Sequence, residues 1–389
     1  MFSSRFPWDL QPNRVTRALE ARRRTGVRIL DLTESNPTHA ALSYPPEILA
    51  AFADPRILRY DPAPAGMPSA RAAVSAYYAR RGLAVDPDRI LLTASTSEAY
   101  GYLFKLLTEP GDSVLVPRPS YPLFEFLARM ESVEVRPYSL AYHGRWSIDL
   151  DSLAAAVTPR TRAIVLVNPN NPTGSYVKAP ELEALVRLAS DRGLALISDE
   201  VFSDYALTGD PARAATLAQV EGCLAFSMSG LSKIAGLPQM KLGWMVVAGP
   251  GELRRAASER LEWIADTYLS VNTPVQCAAG PLLESGETVG RQIRARTAEN
   301  LAVAHSLLDA SPATMLHLEG GWYLTLQVPR VRSEEDWVVE LLERADVLVQ
   351  PGFFYDFESE AYLVLSLLTG PAVFREGLER LGACIDGRW

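Results

Sequence analysis

Histidine and cysteine are scarce in this 389-residue chain, at four and three. The cysteines, Cys223, Cys277 and Cys384, are far apart and odd in number. No disulfide framework or ligand spacing can be read from them, and a reducing compartment fits. The histidines show no spacing that would set two of them on one helix face, which argues against a metal site. Long hydrophobic runs are missing too. No stretch approaches a membrane span, and the opening MFSSRFPWDLQPNR has no apolar signal core, so a soluble cytoplasmic protein is expected. Nor is there a long basic block. Lysine plus arginine number 38 against 46 acids, a net charge of −8, and the densest cationic cluster, Arg22, Arg23 and Arg24, reads as a solvated helix face. That balance argues against nucleic acid as the main partner.

What is present is an ordinary globular composition, 48% hydrophobic and 22% charged. The middle of the chain alternates short apolar runs with amphipathic stretches. Residues 89–93 (RILLT), 113–116, 163–167 (AIVLV), 194–198 (LALIS), 224–228 and 242–248 read as strands, and 97–107, 121–129 and 180–192 as helices. Strands that are apolar throughout and separated by helices imply a mainly parallel sheet covered on both faces. In such sheets ligands bind beyond the carboxyl ends of the strands. After about residue 285 the pattern changes to a long charged helix (287–308), an alternating strand (322–328), a helix (334–344), strands at 347–350 and 362–368, and a last helix (371–385). The expectation is an α/β large domain over residues 46–285 and a small α+β domain made by both termini, 1–45 and 286–389.

The loops after the strands carry the chemistry. After RILLT come Ser95, Thr96 and Ser97, hydroxyl residues at a strand-to-helix junction. They can serve as a plain cap or as a phosphate site built from side-chain donors and free N–H groups. After AIVLV comes Asn168-Pro169-Asn170-Asn171-Pro172-Thr173-Gly174, a rigid turn that can aim an amide at a ligand oxygen. After LALIS comes Asp199, an acid at the end of a buried strand. It needs either a neighbouring arginine or a cationic ligand. Last comes Lys233 in SGLSKIAGLPQMK, with Lys241 eight residues on. Lys233 either snorkels to solvent or sits enclosed, with a lowered pKa suited to forming a Schiff base. A phosphate, an aldehyde, a ring oxygen and a basic ring nitrogen would satisfy these pieces together, and pyridoxal 5'-phosphate has all four.

In this ordered set the chain resembles the fold type I pyridoxal-phosphate enzymes of the class I/II aminotransferase family. The resemblance rests on residues 168–174, Asp199-Glu200-Val201, Ser232-Lys233 with a cation eight on, Pro119-Ser120-Tyr121-Pro122, and Tyr60 ahead of Gly66, and it covers nearly the whole chain. It implies a mostly parallel seven-stranded sheet flanked by helices, plus a small domain. Lys233 would form the Schiff base and then move a proton, and Asp199 would pair with the ring nitrogen. Asn171 would donate to the ring oxygen, and Tyr121 would stack on the ring. Ser95, Thr96, Ser97 and Lys241 would hold the phosphate, with Tyr60 reaching it from the other subunit of a homodimer. The activity implied is transfer of an amino group from an amino donor, an amino acid in the first instance, to a keto acid.

Three departures from the family pattern stand out. Phe202 replaces a tyrosine that donates to the ring oxygen, and Tyr205 is a conceivable substitute. Lys241 replaces a phosphate-binding arginine. Val364 stands where the family has an arginine that clamps the substrate carboxylate, in a window, AYLVLSLLT, with no basic residue. Ser35 also replaces a glycine before x-Pro. Arg118 is one alternative clamp, and a substrate without a carboxylate there is another. Trp322 and Tyr323 read either as small-domain core or as the wall of an apolar substrate pocket. The missing arginine keeps a lyase, decarboxylase or carbon–carbon bond former open beside transamination. A ligand-sensing domain of a transcription regulator would need a DNA-binding segment, which residues 1–45 lack.

Overall fold

The computed structural model describes residues 2–8, 11–309 and 311–388. Its main sheet has eight strands: β1 (Ile90–Thr93), β2 (Ser113–Arg118), β3 (Glu134–Tyr142), β4 (Trp146–Ile148), β5 (Thr161–Val167), β6 (Ala195–Asp199), β7 (Ala225–Gly230) and β8 (Gly243–Ala248). Their order is β1-β8-β7-β6-β5-β2-β3-β4. Strand β8 runs antiparallel to both its neighbours and β4 antiparallel to β3, while the other four pairings are parallel. The eighth strand beyond the seven expected is the three-residue β4, which extends the β3 edge. Strand β3 itself, EVRPYSLAY, carries charge and a proline and is buried mainly at Tyr138, so it has no continuous apolar run to read.

Both faces of the central strands are apolar because both are covered. Val165, Ile197 and Phe226 pack on one face with Phe104 of helix α1 (Thr96–Leu107). Ile164, Leu166 and Leu196 pack on the other with Leu185 and Ala189 of helix α2 (Ala179–Arg192). Each buried aliphatic side chain contributes roughly 1.5–3 kcal/mol to holding these layers together.

A second core gathers both ends of the chain. Strands β9 (Thr314–Met315), β10 (Tyr323–Gln327), β11 (Gln350–Pro351) and β12 (Tyr362–Ser366) form an antiparallel sheet in the order β9-β10-β12-β11. Leu30 and Asp31 pair in parallel with Val347 and Leu348. Val15, Leu30 and Leu32 share one cluster with Leu324, Leu326, Leu363, Leu365 and Phe374. Helix α3 (Thr273–Leu308) links this core to the main sheet. It starts fourteen residues before the stretch that reads as helical in sequence, capped by the Asn272 side chain and carrying Pro281 inside it. It therefore runs straight through position 285, where the sequence pattern changes. No described helix is long and apolar enough to cross a membrane.

The turn after β5 depends on one glycine. Gly174 has φ +67°, and a Cβ there would lie 2.1 Å from Leu318 Cδ1 and 2.4 Å from the Gly320 carbonyl oxygen. Gly174→Ala combines a left-handed backbone with a clash against main chain, a cost of about 2 kcal/mol or more. A thermal melt of the variant should show a clearly lower midpoint, and an unchanged midpoint would contradict this account of the turn.

Candidate active site

The strand register brings the loops together before any side chain is considered. Thr93, Gly243 and Gly230 sit side by side at the ends of β1, β8 and β7. Asp199 lies beside Met228 on one side and Val167 on the other. The loops carrying Ser95, Asn171, Asp199 and Lys233, and the loop entering β8 with Lys241, therefore share one edge of the sheet. The approach is close: a Cβ on Gly243 would meet the Ser95 backbone at 3.1 Å.

Lys233 lies on the short helix Leu231–Ile234 and is only partly exposed. Its Nζ stands 4.9 Å from the Trp322 ring centroid and 5.5 Å from that of Phe202. These rings sit edge to face with each other, and Tyr205 packs edge-on against Trp322 as well. Burial lowers the Lys233 amine to about 8, against the pull of the Asp199 carboxylate, which favours the charged form. Burial raises Asp199 to about 6, opposed by the Val201 N–H that donates to it at 3.2 Å. No arginine pairs with Asp199 among the described residues. The Tyr100 hydroxyl is buried beside it, and their interaction favours the charged carboxylate. The adjacent Glu200 has its own donors, Thr216 Oγ1 at 2.7 Å and the Leu217 N–H at 2.9 Å.

Asparagines of the 168–174 turn divide their work. Asn168 accepts from the Val177 N–H, and Asn170 accepts from Thr173. Asn171 is buried, its Oδ1 has no partner, and its amide makes no hydrogen bond among the described residues. At the start of α1, Ser95 is the cap, accepting from the Glu98 N–H at 3.2 Å. The Glu98 carboxylate accepts from the Ala94 N–H. The backbone N–H groups of Ser95, Thr96 and Ser97, and the hydroxyls of Thr96 and Ser97, have no partner among the described residues. The Lys241 ammonium, exposed on a residue at φ +51°, has none either. Unclaimed donors and a free cation at a helix N-terminus suit a phosphate. Together with the orphaned Asn171 amide and the unpaired Asp199, they fit the ring and phosphate of pyridoxal 5'-phosphate.

Other expected positions lie further out or are otherwise engaged. Tyr60 is 75% exposed and lines an open depression with Gly66, Tyr102 and Ser270, so within one chain it does not join the Lys233 cluster. Tyr121 is 46% exposed and close enough to Tyr323 and Tyr355 to affect their titration. Ser35 lies close enough to Tyr323 to offset part of the rise that burial gives that hydroxyl's pKa. Trp322 is wholly buried, with its indole N–H unpartnered. Tyr205 does not take the place of a tyrosine at 202, since its hydroxyl donates to the Lys233 carbonyl oxygen at 2.5 Å and so fixes the backbone under the lysine. Arg118 is not a free clamp. It donates to the Asp356 carbonyl oxygen and pairs with that carboxylate, both at 3.0 Å. Tyr100 and the pairing of Trp322 with Lys233 escape the sequence. Only the position of Tyr100 on the sheet-facing side of α1 hints at the first.

An amine attacks an aldehyde only in its neutral form, so the lowered Lys233 gives a prediction. Uptake of pyridoxal phosphate by the cofactor-free protein should speed up as pH rises through about 8 and level off above. Stopped-flow growth of the visible band across roughly pH 6 to 11 measures this. A midpoint near 10.5, the ordinary value, would rule out burial as the control.

The model of the aminotransferase class I and II family matches residues 27–378. The glutamate-pyruvate aminotransferase AlaA of Haemophilus influenzae is 27% identical over 370 residues, 92% of this chain and 90% of that protein. The alanine aminotransferase of Mycobacterium tuberculosis is 27% identical over 368 residues, 92% and 85% of the two chains. Among solved structures, the alanine aminotransferase from Pyrococcus furiosus superposes with a TM-score of 0.88 at 24% identity, covering 100% of both chains. A mutant aspartate aminotransferase of Thermus thermophilus gives 0.82 at 25% identity, covering 98% of this chain and 99% of that one.

Proposed function

Because the chain belongs to the class I and II aminotransferase family, and is thereby a pyridoxal-phosphate-dependent aminotransferase, we propose that Lys233 is its catalytic lysine and that the sheet edge around it is its active site. One observation carries the assignment: an amine over the Phe202 and Trp322 rings, lowered toward neutrality by burial, shares the sheet edge with a carboxylate that no arginine claims among the described residues. The bound cofactor supplies an electron sink that weakens bonds at the donor's amine-bearing carbon. Asp199 would hold a proton on the ring nitrogen, and a cationic ring would offset the cost of burying that carboxylate. Asn171 would donate to the ring oxygen. The free N–H groups at 95–97, the Thr96 and Ser97 hydroxyls and Lys241 would hold the phosphate, and Tyr121 would cover the ring. The Lys233 Nζ, lowered toward neutrality by burial, would take up the proton that the donor carbon loses. The apolar floor of Phe202 and Trp322 keeps water from that amine and its pKa low.

An absorbance experiment tests the assignment. With single amino donors and no oxo acceptor, the visible band of the loaded protein should convert to the near-ultraviolet band of the aminated cofactor. Lys233→Ala should abolish conversion. A variant that still converts its donor at the wild-type rate would remove Lys233 from the mechanism.

The working form is proposed to be a cytoplasmic homodimer in which Tyr60 completes the phosphate site of the partner, and the 75% exposure of Tyr60 supports this. Mixing the inactive variants Tyr60→Ala and Lys233→Ala should restore activity, because one site in each hybrid dimer is then intact. No recovery on mixing, with hybrids shown to form, would refute a shared site.

A further inference from the structure

The sheet that closes the site over Lys233 has two unlike faces, set by strand register. In antiparallel pairs, directly opposed side chains share a face. Leu324 opposes Leu365 and Leu326 opposes Leu363, and all four belong to the core of the terminal unit. The other face therefore carries Tyr323 opposite Ser366, Thr325 opposite Val364, Gln327 opposite Tyr362, and Gln350 on the far side of Val364. Val364 and Tyr323 cluster with Phe202, Trp322, Tyr205 and Tyr355, the aromatic group beneath the Lys233 amine. This is the wall that meets whatever sits on the amine.

The wall has no formal charge. It offers hydroxyls, amides and one valine. Thr325, 3% exposed, has an Oγ1 with no hydrogen-bond partner, beside Val364. Gln350 Oε1 accepts from the Tyr355 hydroxyl, which leaves the Gln350 amide N–H groups unclaimed among the described residues. The Ser366 hydroxyl is already engaged, donating to the Glu34 carbonyl oxygen at 2.5 Å. Nearby cations are committed elsewhere. Arg118 pairs with Asp356, and Arg296 donates to the Ala40 and Leu368 carbonyl oxygens at 3.1 and 3.3 Å. Besides burial, the Glu34 carboxylate also raises the Tyr323 pKa, so the formal charge bearing on this wall is negative. A substrate carboxylate pressed against this wall would lose its hydration, gain no counter-charge and meet an acid at the rim.

Resting on the active-site assignment above, we propose that the amino donor is a primary amine whose reacting carbon carries no carboxylate, with a neutral hydrogen-bonding group directed at Thr325 and Gln350. An amino alcohol, an amino amide or the side-chain amine of a larger molecule meets this description. The alanine and glutamate in the relatives' names carry a carboxylate on that carbon. In the half-reaction the donor gives up its amino group and the hydrogen on its carbon. Water supplies the oxygen of the aldehyde or ketone that leaves, replacing the water lost when Lys233 condensed with the cofactor's aldehyde, so water is the one other reactant.

The test uses the loaded protein and donors matched except at that carbon: phenylalanine, phenylalaninol, phenylalaninamide and 2-phenylethylamine. Single-turnover conversion of the visible band is followed without any oxo acceptor. Alongside it, spectral titration with the unreactive pair 3-phenylpropanoate and 3-phenylpropanamide reads affinity alone. The expected result is a specificity for phenylalaninol or phenylalaninamide at least about tenfold above phenylalanine, with the amide analogue binding more tightly than the carboxylate. Thr325→Val, close to isosteric, should narrow the advantage of phenylalaninol over 2-phenylethylamine. Val364→Arg, if it folds, should shift preference toward phenylalanine. Faster conversion of phenylalanine, or tighter binding of 3-phenylpropanoate, overturns the proposal while leaving the active-site assignment intact. Failure of all four donors to convert, with the band present, overturns both.

Discussion

Everything at the working edge of this sheet depends on a carboxylate and an amine enclosed together with little else to answer them. Asp199 ends a strand buried on both faces, and Lys233 stands over aromatic rings. Each has its pKa moved toward neutrality by burial, and each moves the other back. Neither arrangement stabilises the empty protein. A buried acid without an ion pair costs free energy, as does a lysine over apolar rings. Such costs persist where a ligand offsets them, and a ring with a basic nitrogen and an aldehyde offsets both at once.

The surrounding fold keeps that pair in register. Gly243 lets the Ser95 loop lie on the start of β8, and Gly174 lets the asparagine turn lie on the Leu318–Gly320 segment. Tyr205 ties the lysine backbone. The Asn300 amide donates to the Leu367 and Thr369 carbonyl oxygens, so helix α3 grips the end of β12 while its other residues pack under the Lys233 helix. The wall that β10, β11 and β12 turn toward the site is thus held against the amine by the same helix that supports the lysine. Its neutrality is a property of the site rather than of a loose surface.

Much of the fold is legible in the sequence because the central strands are apolar on both faces and bounded by turn residues. AIVLV and LALIS can be little else in a chain of alternating elements. The elements that escape are those whose pattern is mixed. EVRPYSLAY alternates poorly and carries Pro137, and the first half of α3, which contains Pro281, has no helical reading in the sequence. Lys233, Asp199 and Asn171 stand out in the sequence because each is a polar residue at or just beyond the end of an apolar strand. The engagement of Arg118 by Asp356 is not legible, since the partners are 238 residues apart and the pairing follows from how the terminal unit docks.

By itself the sequence determined the chemistry available: a lysine, an acid, an amide and hydroxyl residues at a strand-to-helix junction in a fixed order, and a C-terminal strand without a basic residue. Periodicity and residue type carry that information locally. Only the tertiary structure decided which of these groups meet, which are already spoken for, and which face of β12 looks toward the amine. Those depend on strand register and docking, where a shift of one residue would turn Val364 into the core and a leucine toward the site.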